Sequence, residues 1–101
     1  DIYKMVKLIK ISPSTAKADK RYTAHFMLDN DKVKRVHFGS SKHENYTIHK
    51  DEKRKDAYRK RHAKDLKTND PTRAGYLSYY ILWNKDTLHK SIQDYKKTFN
   101  L

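Results

Sequence analysis

HFGSSKHENYTIHKDEKRKDAYRKRHAKDL, residues 37–66, is the stretch in which the chain changes its period. Before it, apolar residues alternate as they do along strands; after it, they recur every three or four residues as they do along helices. Gly39 is the only glycine of the N-terminal half and closes a strand, because glycine takes dihedrals that other residues avoid. A polar turn follows, and Thr47 is placed to cap a helix over about 48–66, with Asp51 and Glu52 near its positive end. The inner stripe of that helix is Ile48, Asp51, Lys55, Tyr58, His62 and Leu66, only half of it apolar. Such a helix either lies on the surface or buries a polar network that must satisfy itself.

Upstream, three strands are expected. Residues 3–11 mix Met5, Val6, Leu8, Ile9 and Ile11 with Lys4, Lys7 and Lys10, lysines that suit an edge strand. Over 21–29 the alternation is clean, with Tyr22, Ala24, Phe26 and Leu28 on one face. Asp29-Asn30-Asp31-Lys32 then turns the chain into a third strand over 33–38. Downstream, Asp70 and Pro71 read as cap and first residue of a helix over 71–83, apolar nearly all round. Leu88, Ile92, Tyr95 and Phe99 mark a last helix over 87–99 with Asp86 as its cap. The expected fold is α+β: a three-stranded antiparallel meander followed by three helices, the 101 residues forming one domain.

Lys and Arg number 24 against 12 Asp and Glu, a formal charge of +12. That excess favours polyanions or acidic protein faces as partners. It is built from Lys three times as often as from Arg, with acids interleaved, which disfavours sequence-specific base reading by bidentate arginines. There is no cysteine, so disulfides and thiolate metal sites are excluded. No apolar run approaches the roughly 18 residues of a membrane span, and no secretory leader pattern is present, so the chain reads as soluble and intracellular, without membrane insertion.

Chemistry-bearing motifs are sparse. His37, His43 and His49 recur at six-residue intervals that match no helical ligand pair, so no metal site is expected. His49, Asp51 and Glu52 offer magnesium-type ligands without any phosphate-cleaving signature. No serine sits in a nucleophile elbow, and two glycines cannot build a phosphate-cradling loop. The expectation is therefore no enzyme, no cofactor and no small-molecule substrate. Lys53, Arg54, Arg59, Lys60 and Arg61 on the basic helix, with Tyr79 beyond it, are the expected partner contacts. The bland alternative is a solvated helix laced with weak pairs of about 0.3–0.5 kcal/mol each. His37, Asp51, Tyr58 and His62 are expected to form an internal polar network fixing the turn against the helix. The tyrosines fit core positions better than stacking platforms, Tyr79 excepted.

The combination of His37-Phe-Gly-Ser, Tyr46-Thr-x-His-x-Asp-Glu-x-Arg-Lys-x-x-Tyr58, Arg61-His62, Asp70-Pro71-Thr72, Ala74-Gly75, Leu77-Ser78, Ile81-Leu82-Trp83-Asn84-Lys85 and the segment from Leu88 to Phe99 resembles a family of small basic proteins of unknown function. That family is encoded by nucleocytoplasmic large DNA viruses, the giant and algal viruses, and the resemblance covers roughly Tyr22 to Leu101. It implies a non-enzymatic structural virion protein, a minor capsid or internal component located in the virion and, during assembly, in the host cytoplasm or viral factory. Its implied partners are capsid or other virion proteins with acidic surfaces. The alternative is a non-specific, genome-associated nucleic-acid binder, for which the charge alone suffices.

Overall fold

The computed structural model describes residues 6–15 and 17–101. Strands β1 (Lys7–Pro13), β2 (Lys20–Met27) and β3 (Val33–Ser40) pair antiparallel in the order β1-β2-β3. Helices α1 (Tyr46–His49) and α2 (Glu52–His62) follow, and a 3₁₀ segment, Ala63–Thr68, continues α2. Helix α3 (Ala74–Leu77) runs into a π-helical segment, Ser78–Leu82, and α4 (Leu88–Thr98) completes the order. The architecture is α+β with the expected meander. Of the first expected strand, residues 3–5 lie outside the described residues.

Sheet register explains why β1 carries apolar residues on both nominal faces. Leu8 pairs with Phe26 and Ile11 with Ala24, and the register shifts between Leu8 and Lys10. A bulge at Ile9 therefore lets two residues three apart face the same way, while Ile9 itself is 47% exposed. Ala24 faces Val36 and Tyr22 faces Phe38, building the inner face; Thr23 faces His37 and His25 faces Arg35 on the other. The hairpin between β2 and β3 turns on Asp31, whose φ of 63° is the left-handed conformation that Asp and Asn tolerate.

The helices depart from expectation in three places, each for a capping reason. The single helix expected over 48–66 is two helices, because two side chains compete to start one. Asn45 accepts from the Thr47 amide and opens α1; Asp51 accepts from the Lys53 and Arg54 amides and opens α2. Lys50 between them leaves helical space with a φ of 56°. Thr47 is thus not the cap, and Asp51 is a cap rather than part of an inner stripe. Asp70 and Pro71 do not open the next helix. The Asp70 carboxylate takes the Thr72 amide and hydroxyl at 2.9 and 2.7 Å, closing a local turn, and α3 starts only at Ala74. Thr87, not Asp86, caps α4 by accepting from the Lys90 amide at 3.1 Å.

Phe26, Phe38, Leu77, Ile81 and Tyr95 are fully buried between the sheet and the helices. Burial of each aliphatic or Phe side chain contributes about 1.5–3 kcal/mol. The Tyr95 hydroxyl donates to the Pro71 carbonyl, so its polar tip is satisfied inside the core. Asn100 takes a φ of 56° and the Leu101 amide donates to the Lys96 carbonyl at 2.8 Å, a C-terminal lock on α4 that tucks Leu101 into the same core.

Candidate functional site

Helix α2 has eleven residues and none of them is buried. Apolar burial therefore does not hold it, and its basic residues do part of that work. The π segment Ser78–Leu82, which follows α3, and the residues after it end in carbonyls without helical partners. Arg59 Nη1 donates to the Trp83 carbonyl at 2.7 Å and to that of Tyr79 at 3.4 Å. Four residues earlier on the same face, Lys55 Nζ donates to the Asn84 carbonyl at 3.2 Å. From the break before α2, Lys50 Nζ donates to the Asp86 carbonyl at 2.6 Å. Cations are favoured at the carbonyl end of a helix, so Arg59 and Lys55 seat α2 on that end, while Lys50 ties the break before α2 to the residue ahead of the α4 cap. The Arg59 guanidinium also lies 4.1 Å over the Tyr79 ring, and Lys55 lies 4.4 Å over Tyr46.

A column of rings completes the seat. His62 stacks on Tyr58 at 4.1 Å between centroids, Tyr58 on Trp83 at 4.3 Å and 6°, and His49 approaches Trp83 at 5.2 Å. Burial and the nearby Arg54 hold the His49 imidazole below its ordinary pKa, and its Nδ1 accepts from the Asp51 amide at 2.9 Å. The neutral ring therefore carries its proton on Nε2, which is buried without a hydrogen-bond partner among the described residues. Burial and the Asp65 carboxylate push the Tyr58 phenol up, against hydrogen bonding with Ser78 and the charge of Arg61. Asp65 in turn holds His62 Nδ1 at 2.9 Å.

Beside this column opens a cleft of about 600 Å³. One wall is the end of β3 and the loop after it, with Gly39, Ser40, His43, Glu44 and Asn45; the other is α2, with Arg54, Ala57, Tyr58, Arg61 and His62. Ser78, Leu82 and Trp83 form the floor. Gly39 is required where the loop leaves the sheet: its φ is +80°, and a Cβ there would stand 2.7 Å from Leu82 Cδ1. Arg21 ties the loop down by donating to the His43 carbonyl at 2.9 Å.

The structure divides the expected contact residues into three groups. Lys53 and Lys60, seven apart on α2, are exposed and form no ion pair among the described residues. Arg54 and Arg61 are exposed but line the cleft, and Arg54 stands 3.6 Å from Glu44. Arg59 and Tyr79 are half-buried and bound to each other, so they serve the packing of α2 instead of facing a partner. The expected network of His37, Asp51, Tyr58 and His62 does not form as one unit. His37 points with Thr23 to the sheet face opposite Phe38, and its Nδ1 shares a 2.8 Å hydrogen bond with the Thr23 hydroxyl; Asp51 is taken by its cap; only Tyr58 and His62 meet. Trp83, Ser78, His43 and Gly39 escaped the sequence reading as cleft residues, although the lone tryptophan beside a polar helix is a signal that could have found Trp83. Among the described residues, no group of three or more His, Asp or Glu is placed to hold a metal ion, and no helix is long and apolar enough to cross a membrane.

Residues 9–62, which span most of the sheet together with α1 and α2, match the model of a family described as a family of unknown function (DUF5754). No curated protein and no solved structure matches the chain.

Proposed function

The chain belongs to the DUF5754 family, and we propose that it is a non-enzymatic structural protein of a large DNA virus particle, a minor capsid or internal component, docking on acidic faces of other virion proteins through the outer side of α2. The viral setting rests on the resemblance of the motifs between His37 and Phe99. The docking reading is carried by one observation: the acids of α2 and its cap are mostly occupied, while its outer lysines are not. Asp51 caps the helix; Glu52 accepts from the Tyr46 hydroxyl at 2.7 Å and pairs with Lys55 at 3.2 Å. Lys53 and Lys60 are left facing solvent with Asp56 exposed between them. A mosaic of two lysines and one aspartate complements an acidic protein face that carries a base of its own, whereas an uninterrupted phosphate backbone would meet Asp56.

The second reading, non-specific nucleic-acid binding, is favoured by Lys10 and Arg35 on the sheet and Lys96 and Lys97 on α4, exposed bases that carry positive charge to other sides of the molecule. Binding to a labelled random DNA duplex between about 50 and 200 mM salt separates the two, since several phosphate contacts cost orders of magnitude over that range. The docking reading expects negligible binding even at the low-salt end. Tight binding that collapses along the series would put the genome-associated role first.

A further inference from the structure

We propose that the cleft between α2 and the loop after β3 binds a small organic phosphate, its phosphate between Arg54 and Arg61 and its carbon skeleton on the floor of Leu82 and Trp83. The site is separate from the outer lysines and does not depend on the docking reading. Arg54 and Arg61 are seven residues apart, two turns of one helix, so both lean toward the same wall. Their guanidinium groups are long enough to converge on one dianion and fork-shaped enough to hold it by paired N–H donors. The Ser40 hydroxyl and the His43 imidazole, both groups that donate to phosphate oxygens, line the same space. A volume of about 600 Å³ with an apolar floor and a few convergent polar groups is that of a small-molecule site.

The cleft is also built to persist when empty. Its floor is locked by the Tyr58–Trp83 stack, and Gly39 allows the loop to approach Leu82 closely. Both faces of Tyr58 are covered by neighbouring rings, so a ligand's flat group would contact the floor by van der Waals packing and not by stacking on that ring. Among the described residues Glu44 is the one carboxylate lining the cleft, 3.6 Å from Arg54, and must release it when an anion enters. The sequence leads to the expectation of no small-molecule substrate because its motifs speak only to catalysis; the cleft is assembled from four separate elements.

Adenosine monophosphate, adenosine and inorganic phosphate, titrated calorimetrically into the full chain, are the probes. The expected result is saturable binding of the monophosphate, at least tenfold tighter than either fragment. Arg61→Gln and Ala57→Glu, both at exposed helix positions, should weaken it at least tenfold, Glu44→Gln should tighten it, and Lys53→Gln with Lys60→Gln should leave it within twofold. Adenosine binding as tightly would overturn the phosphate assignment, and inorganic phosphate doing so would overturn the role of the floor. Equal losses in the outer-lysine and Arg61 variants would reduce the effect to diffuse charge, and no saturable binding at millimolar ligand would remove the site. Because Lys53 and Lys60 carry the docking face and Arg61 the cleft, either proposal can fail while the other stands.

Discussion

Arg59 shows how one residue in a run of bases can be doing something different from its neighbours. In the sequence it is one of six Lys and Arg between Lys53 and Arg61, and nothing in that run marks it out as internal. In the fold its guanidinium is half-buried, bonded to the Trp83 and Tyr79 carbonyls and laid on the Tyr79 ring. Removing it leaves the end of the π segment with unpaired carbonyls. Arg59→Ala should therefore destabilise the protein by about 1.5–3 kcal/mol in urea unfolding, the range for hydrogen bonds to charged groups. Lys60→Ala, one residue on and exposed, should stay within about 0.5 kcal/mol. Arg59→Lys should recover only part, because an ammonium cannot reproduce the planar fork that meets two carbonyls and a ring face together. Equal, small effects of the two alanine variants would return Arg59 to the solvent-facing set.

At the scale of elements, strands were legible and helix starts were not. Alternation over Tyr22 to Leu28 and the turn residues from Asp29 to Lys32 determine the hairpin locally, so sequence reading reaches it. Helix boundaries depend on which of several capable side chains wins the cap, and that is decided by packing. Thr47, Asn45 and Asp51 all can cap; Asp86 and Thr87 both can; the structure uses Asn45, Asp51 and Thr87. The candidate site was legible only in part for the same reason. The basic helix is plain in the sequence, but the cleft needs Gly39, Arg54, Leu82 and Trp83 brought together across more than forty positions of chain. The Asp51 cap is the element-level test: Asp51→Ala removes the acceptor of two amides and should cost about 1 kcal/mol. Asp51→Asn should restore most of it. Were Thr47→Ala the costlier change instead, the break at Lys50 would be wrong and one continuous helix would be restored.

Over the whole molecule, the same buried and bonded groups set the pH range in which the fold holds. His25, through burial and then Lys10 and Arg35, and His49, through burial and then Arg54, titrate below the ordinary 6.5 in the folded state. A depressed pKa means that the folded state favours the neutral ring, so their contribution is present above 6.5 and is lost as pH falls below it. Glu52, bonded by Tyr46 and Lys55, and Asp86, bonded by Lys90, also lie low, as does Asp70, where the Thr72 bonds outweigh burial. Their contribution is present above the ordinary carboxylate range and fails in acid. On the alkaline side, the bond to Glu52 pushes the Tyr46 phenol up to about 12, and burial raises Tyr58, Tyr76 and Tyr95. A raised pKa stabilises below the ordinary 10 and is lost as pH climbs from there toward about 12. Urea midpoints should accordingly form a plateau between about pH 6.5 and 10 and fall on both sides. Phenolate absorbance followed with circular dichroism tests the upper edge, because Tyr95 cannot ionise while its hydroxyl is held in the core by the Pro71 carbonyl. Its phenolate should rise together with loss of helical signal, and Tyr46→Phe, which removes the bond to Glu52 and one of the titrating phenols, should lower the plateau and make the fall above pH 10 shallower. A single absorbance step centred at pH 10 with the helical signal intact would show that the phenols are exposed, and the core built around Tyr95 would have to be redrawn.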